Sequence, residues 1–78
     1  MDVRYTVILE PDDGAFNAIV PALPEAATFG RTPEEALAMA REAIEIALEI
    51  RRRDGEEIPP SDVEMTRVET VAVTIPAA

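Results

Sequence analysis

One block of this sequence leaves little choice of conformation: Thr32-Pro33-Glu34-Glu35 opens it and Arg51-Arg52-Arg53-Asp54-Gly55 closes it. Thr32 is an N-cap, Pro33 fits the first helical position, and Glu35 stands where a capping box needs its acid. Acids in the first turn and arginines in the last suit the helix dipole, and Gly55 supplies a left-handed stop. The signals predict a helix over 33–53, about 31 Å long at 1.5 Å per residue. At 100° per residue, Leu37, Ala40, Ile44, Ala47 and Leu48 form one stripe, expected to pack on a sheet. Met39, Ala43, Ile46 and Ile50 form an adjoining stripe, and Arg41, Glu42, Glu45, Glu49 and Arg52 the solvated face. The apolar arc spans about 200°, against the roughly 100° of a helix covering one sheet face. Two readings account for the surplus: the Ile58-Pro59-Pro60 loop folds back over it, or a second copy packs there. The second is favoured, with Met39, Ile46 and Ile50 at the interface.

The rest of the chain reads as strands. Residues 3–10 place Val3, Tyr5, Val7 and Leu9 on one face, alternating with Arg4, Thr6, Ile8 and Glu10. Pro11-Asp12-Asp13-Gly14 reads as a turn, and residues 15–20 as the return strand of an antiparallel hairpin, with Phe16, Ala18 and Val20 on one face. Pro21 and Pro24 interrupt pairing. A short third strand is expected over 26–29, ending at Gly30. Ile58-Pro59-Pro60-Ser61 is a stiff linker. A last strand is expected over 65–75, with Val71, Val73 and Ile75 on one face. The order β-β-β-α-β gives an α+β domain: a small, mostly antiparallel sheet with one long helix packed on one face. The preferred spatial order is 3-2-1-4, the last strand lying beside the first. One domain is expected over residues 1–78.

Composition removes several function classes. The chain has no Cys, no His and no Lys, and Ser61 is its only serine, so the usual nucleophile–base pairs have no members. Glycines at 14, 30 and 55 make no phosphate loop. A two-metal nuclease needs converging carboxylates, whereas the first strand carries acids only at its ends, Asp2 and Glu10. No catalysis and no cofactor or metal is expected. Sixteen acidic against seven basic residues, a net charge of −9, repel nucleic-acid phosphates and suit either solubility or a basic partner. With no long apolar run and no charged-then-apolar leader, the chain is expected in the cytoplasm, away from membranes. A domain this small has a marginal core, and without disulfides or a metal site self-association, as a homodimer or tetramer, is the remaining support.

Three stretches together resemble the HicB-type antitoxins: Tyr5-Thr6-Val7-Ile8-Leu9-Glu10-Pro11 with Asp13-Gly14-Ala15-Phe16 and Val20-Pro21-Ala22-Leu23-Pro24; Thr28-Phe29-Gly30-Arg31-Thr32-Pro33-Glu34-Glu35-Ala36-Leu37; and Asp54-Gly55-Glu56-Glu57-Ile58-Pro59-Pro60-Ser61. They cover about residues 5–61 in order. The resemblance implies a partial ribonuclease-H-like domain without nuclease activity, acting in a prokaryotic toxin–antitoxin system. The implied partner is a small basic mRNA-cleaving toxin of HicA type, whose active surface the antitoxin masks. Many members carry a further DNA-binding module. Here only Pro76-Ala77-Ala78 follow the last expected strand, so none is expected, nor is direct nucleic-acid binding. Glu25-Ala26 stands where the family commonly has Gly-Cys.

Candidate partner-binding residues are Asp12 and Asp13 at the hairpin tip and Glu42, Glu45 and Glu49 on the helix. Candidate oligomer-interface residues are Met39, Ile46, Ile50, Val71 and Val73. For each the bland reading stands beside the functional one: a solvated face, a cap, or an edge strand. Pro21, Leu23 and Pro24 read as a rigid bend or a partner contact. The alternative functions are a solitary oligomeric adaptor of the same fold and a degenerate metal-dependent nuclease.

Overall fold

The computed structural model describes residues 2–76; Met1, where the leader reading begins, and Ala77 and Ala78, which follow the last expected strand, lie outside the described residues. The elements run β1 (Ile8–Asp12), β2 (Ala15–Ile19), a 3₁₀ turn η1 (Pro24–Ala26), β3 (Thr28–Gly30) and α1 (Pro33–Arg53). The three strands form an antiparallel sheet in the order β1-β2-β3, and the helix lies on one face, an α+β fold.

The first hairpin is tighter than the sequence reading. Asp12 pairs with Ala15, and Asp13 and Gly14 alone make the turn, at φ 50° and 83°. Positive φ at both central residues is the two-residue hairpin turn whose twist matches its strands, and Asp and Gly tolerate it best. Pro11 and Asp12 therefore belong to β1. Because Asp12 closes the hairpin, alternation turns Pro11 toward the open edge, where its missing N–H costs nothing. At its other end β1 starts at Ile8 rather than near Val3. Ile8 pairs with Ile19, so Thr6 would next face Pro21, which has no N–H to give and where the chain turns away. The freed backbone groups find other partners: Arg4 N–H donates to Ser61 Oγ, Thr6 N–H to Asp62 Oδ1, and Asp62 N–H to Arg4 O.

Pro24 begins η1, so β3 starts two residues later than expected. At β3's end Gly30 is buried, and a Cβ there would lie 2.8 Å from Ala36 Cα. That spacing lets the first turn of α1 sit directly on the sheet. The helix has the bounds read from the sequence. Thr32 Oγ1 accepts from Glu35 N–H, while Glu35 Oε1 reaches Arg31 N–H, one residue before the N-cap, instead of the N-cap itself. At the other end Gly55 (φ 73°) donates to Arg52 O and Glu56 to Arg51 O, the paired bonds of a Schellman stop.

The core consists of two clusters beneath α1. Val20, Leu23, Ala26 and Ala47 form one, flanked by Tyr5, Val7, Ala43, Ile44 and Leu48; Ala18, Ala36 and Ala40 form the other, flanked by Val7, Leu9 and Phe16. Leu37, expected on the sheet, is half-exposed and lines an open groove with Val3, Tyr5 and Val7, ahead of β1. The linker after the helix does fold back, but onto Tyr5, whose hydroxyl donates to Pro59 O, and onto Arg51. Met39, Ile46 and Ile50 stay exposed.

The last strand is not formed. Residues 67–76 run without pairing, and Val71 and Val73 are 81% and 80% exposed. Asp62 O accepts from Met65 and Thr66 N–H, a turn that leads the chain off the body. Alternating side chains alone do not make a strand, which exists only against a partner's N–H and C=O groups. Among the described residues none pairs beside β1, the fourth place in the expected order 3-2-1-4.

Candidate functional site

The helix covers one face of the sheet and leaves the other open. Register puts Ile8 and Ile19 side by side on that open face, with Glu10, Asn17 and Phe29 in a row across all three strands. Phe29 is 65% exposed, and Ile8 and Ile19 are each about a third exposed or more. Glu10, Asp12 and Asp13 surround this apolar patch on the hairpin side, all exposed. Asn17 Nδ2 donates to Asp12 Oδ2 at 3.3 Å, holding that carboxylate at the tip. An aromatic ring and two isoleucines thus stand exposed on an open, uncovered sheet face, with acidic residues along one side.

The other expected acids are elsewhere. Glu42, Glu45 and Glu49 are exposed along α1, away from the open sheet face. Glu49 is engaged with Arg52 at 2.6 Å, whose hydrogen bond and charge hold its carboxyl below the ordinary value. The sequence singles out the hairpin tip as a candidate but not Phe29, Ile8 and Ile19, which share a face only through the strand register. Met39, Ile46 and Ile50 lie on the helix, apart from Val71 and Val73.

A second constellation, also missed from sequence, ties the far end of the fold together. Arg51 grips Glu25 with two hydrogen bonds, Nε to Oε2 at 2.6 Å and Nη2 to Oε1 at 3.1 Å, and its remaining Nη1 reaches Glu57 O at 3.2 Å. The Arg51 hydrogen bond holds the Glu25 carboxyl below its ordinary value. Burial, and then the Asp62 carboxylate, push the Tyr5 hydroxyl up, with Arg51 opposing. Arg53 stands 3.6 Å from Asp54. The arginines that close the helix therefore all face carboxylates and present no free cationic cluster to phosphates. Among the described residues no three potential ligands gather around a metal position, and no helix is long and apolar enough to cross a membrane.

A hairpin, a third strand and one capped helix define a small α+β domain whose conspicuous chemistry lies on its surface. The chain belongs to the HicB-like antitoxins: the family model for "HicB_like antitoxin of bacterial toxin-antitoxin system" matches residues 5–77. It is similar to Antitoxin HicB 1 of Photorhabdus laumondii, 46% identical over 59 residues, which is 74% of this chain and 38% of that protein. Antitoxin HicB 2 of the same organism is 43% identical over 58 residues, 74% of this chain and 42% of that protein. The UPF0150 protein Ta0767 of Thermoplasma acidophilum is 41% identical over 63 residues, 80% of this chain and 91% of that protein. The matched part thus spans about two fifths of the two antitoxins but nearly all of the third relative. No solved structure matches the chain. Membership in this family points to a non-enzymatic role.

Proposed function

We propose that the chain neutralises a small basic RNA-cleaving toxin of HicA type by covering it with the open face of the sheet. One observation carries this reading: Phe29, 65% exposed, lies across from Asn17 and Glu10 on a face that no element covers, with Asp12 and Asp13 at its rim. The aromatic residue and the isoleucines are the anchors, desolvated on binding. The acids steer a basic partner, and a net charge of −9 accelerates its approach.

The test uses a small basic toxin of HicA type, taken from a reading frame beside this chain's gene where one is found, with RNA cleavage and binding kinetics as readouts. Wild-type chain is expected to suppress cleavage stoichiometrically. Phe29→Ala is expected to raise the dissociation rate at least tenfold, in line with about 2 kcal/mol or more for an aromatic hot spot. Asp12→Arg with Asp13→Arg is expected to slow association and flatten its salt dependence. Glu42→Arg with Glu45→Arg and Glu49→Arg reports on the helix face instead; if only this variant abolishes suppression, the open sheet face is the wrong surface. The match over 91% of the UPF0150 protein favours a second reading, a solitary adaptor of the same fold. Absence of any toxin that binds the chain would select it.

A further inference from the structure

Two unsatisfied features stand at opposite ends of the same problem. Along the segment that leads into β1, an edge strand, a groove runs between Val3, Tyr5 and Val7 on one side and Leu37, Ile44 and Leu48 of α1 on the other. Beyond the Asp62 turn, Val68, Val71, Val73 and Ile75 are 80–88% exposed. The chain's radius of gyration is 15.5 Å and its longest extent 56 Å, against a radius of about 11.5 Å for a compact domain of this length. Its accessible surface is 6398 Å², against about 4,650 Å² for a compact monomer of its mass. The excess, roughly 1,700 Å² per chain, exceeds the approximately 800 Å² that each partner buries in a standard interface.

We propose that residues 68–75 form a strand exchanged between two copies of this chain: each copy's arm lies along the open edge of β1 in the other and roofs its groove. An added strand supplies ladder partners for an edge otherwise bare, and its alternate side chains reach the groove. Val71, Val73 and Ile75, spaced by two, present one face to Leu37 and Ile44, and this gives Leu37 the cover it lacks within its own chain.

Charge selects a second copy over a basic partner for this groove. Its lining carries Asp2 and Glu45 against Arg4 and Arg41, and the arm is uncharged from Thr70 to Pro76. In a molecule of net charge −9 these are neutral surfaces. Two copies can therefore join through them without pressing their acidic faces together, whereas a basic toxin finds no counter-charge there. The exchange is independent of whether the open sheet face binds a toxin, since the groove lies on the helix side of the sheet.

The absence of cysteine from the chain makes the test clean. Sedimentation at micromolar concentration is expected to give a species of twice the 8.5 kDa chain mass. V71D/V73D is expected to weaken association at least 100-fold while keeping the helical circular dichroism, because these side chains are about four-fifths exposed in the single chain and belong to neither core cluster. Separately tagged Val73→Cys and Leu37→Cys chains, mixed and treated with a short bismaleimide, are expected to cross-link to each other. A monomeric wild type overturns the proposal, as does association that survives V71D/V73D. So does cross-linking that occurs only when both cysteines share one chain, the signature of an arm folding back on its own groove.

Discussion

At the scale of single residues, the tightest constraint is Gly30. Its backbone lies against the first turn of α1, and a methyl group there meets Ala36 and Glu35 backbone, which cannot rotate away. Gly30→Ala is expected to destabilise the fold by about 1–3 kcal/mol, the range for forced overpacking, measured as a lower urea midpoint with an unchanged slope. The glycine itself is plain in the sequence, but its reason is not, because the neighbour it meets is brought there by the fold. Asp62 is similar: its carboxylate and backbone complete the hydrogen bonds of Arg4 and Thr6 over a separation of more than fifty residues. Only the tertiary contact distinguishes it from the chain's other acids.

Elements formed from local signals are the ones whose bounds the sequence predicts. The helix carries its own start, stop and dipole complement between Thr32 and Gly55, and its span agrees with the reading residue for residue. The hairpin shifts by two residues because Asp13-Gly14 suffices for the turn, and β1 shortens because its partner β2 ends at Ile19, two residues before Pro21. The fourth strand fails because a strand is a property of a pair. Between elements, the Arg51–Glu25 bridge joins η1 to the end of α1. A carboxyl held below its usual value stabilises the fold above that value, and the contribution disappears as pH falls through the folded one. The ordinary value is 4.5, so Glu25→Gln is expected to lose stability at neutral pH, modestly because the pair is partly solvated. Its denaturation midpoint is also expected to fall less steeply than wild type below pH 4.5. Parallel pH profiles for the two proteins would show that the bridge contributes nothing.

On the scale of the whole molecule, the candidate site was half legible. Acidic residues at a hairpin tip announce themselves, whereas the patch they surround depends on which side chains share a sheet face. The surplus apolar arc of the helix was legible too, but the greater exposure lies on the arm, where no helical pattern points. The helix rests on its smallest side chains. Ala36, Ala40 and Ala47 are its buried residues, and Leu23 and Val20 are the largest side chains fully enclosed. Alanine surrenders no rotamer freedom on folding, so this core holds by freezing few degrees of freedom more than by hiding much oily surface. Calorimetry is expected to register that choice. For a single chain, the heat-capacity increment of unfolding should lie below the value of about 1 kcal/mol/K usual for 78 residues, giving a broad and shallow stability curve. An increment at or above that value in a dilute monomer would mean that far more hydrocarbon leaves water on folding than these alanines can account for.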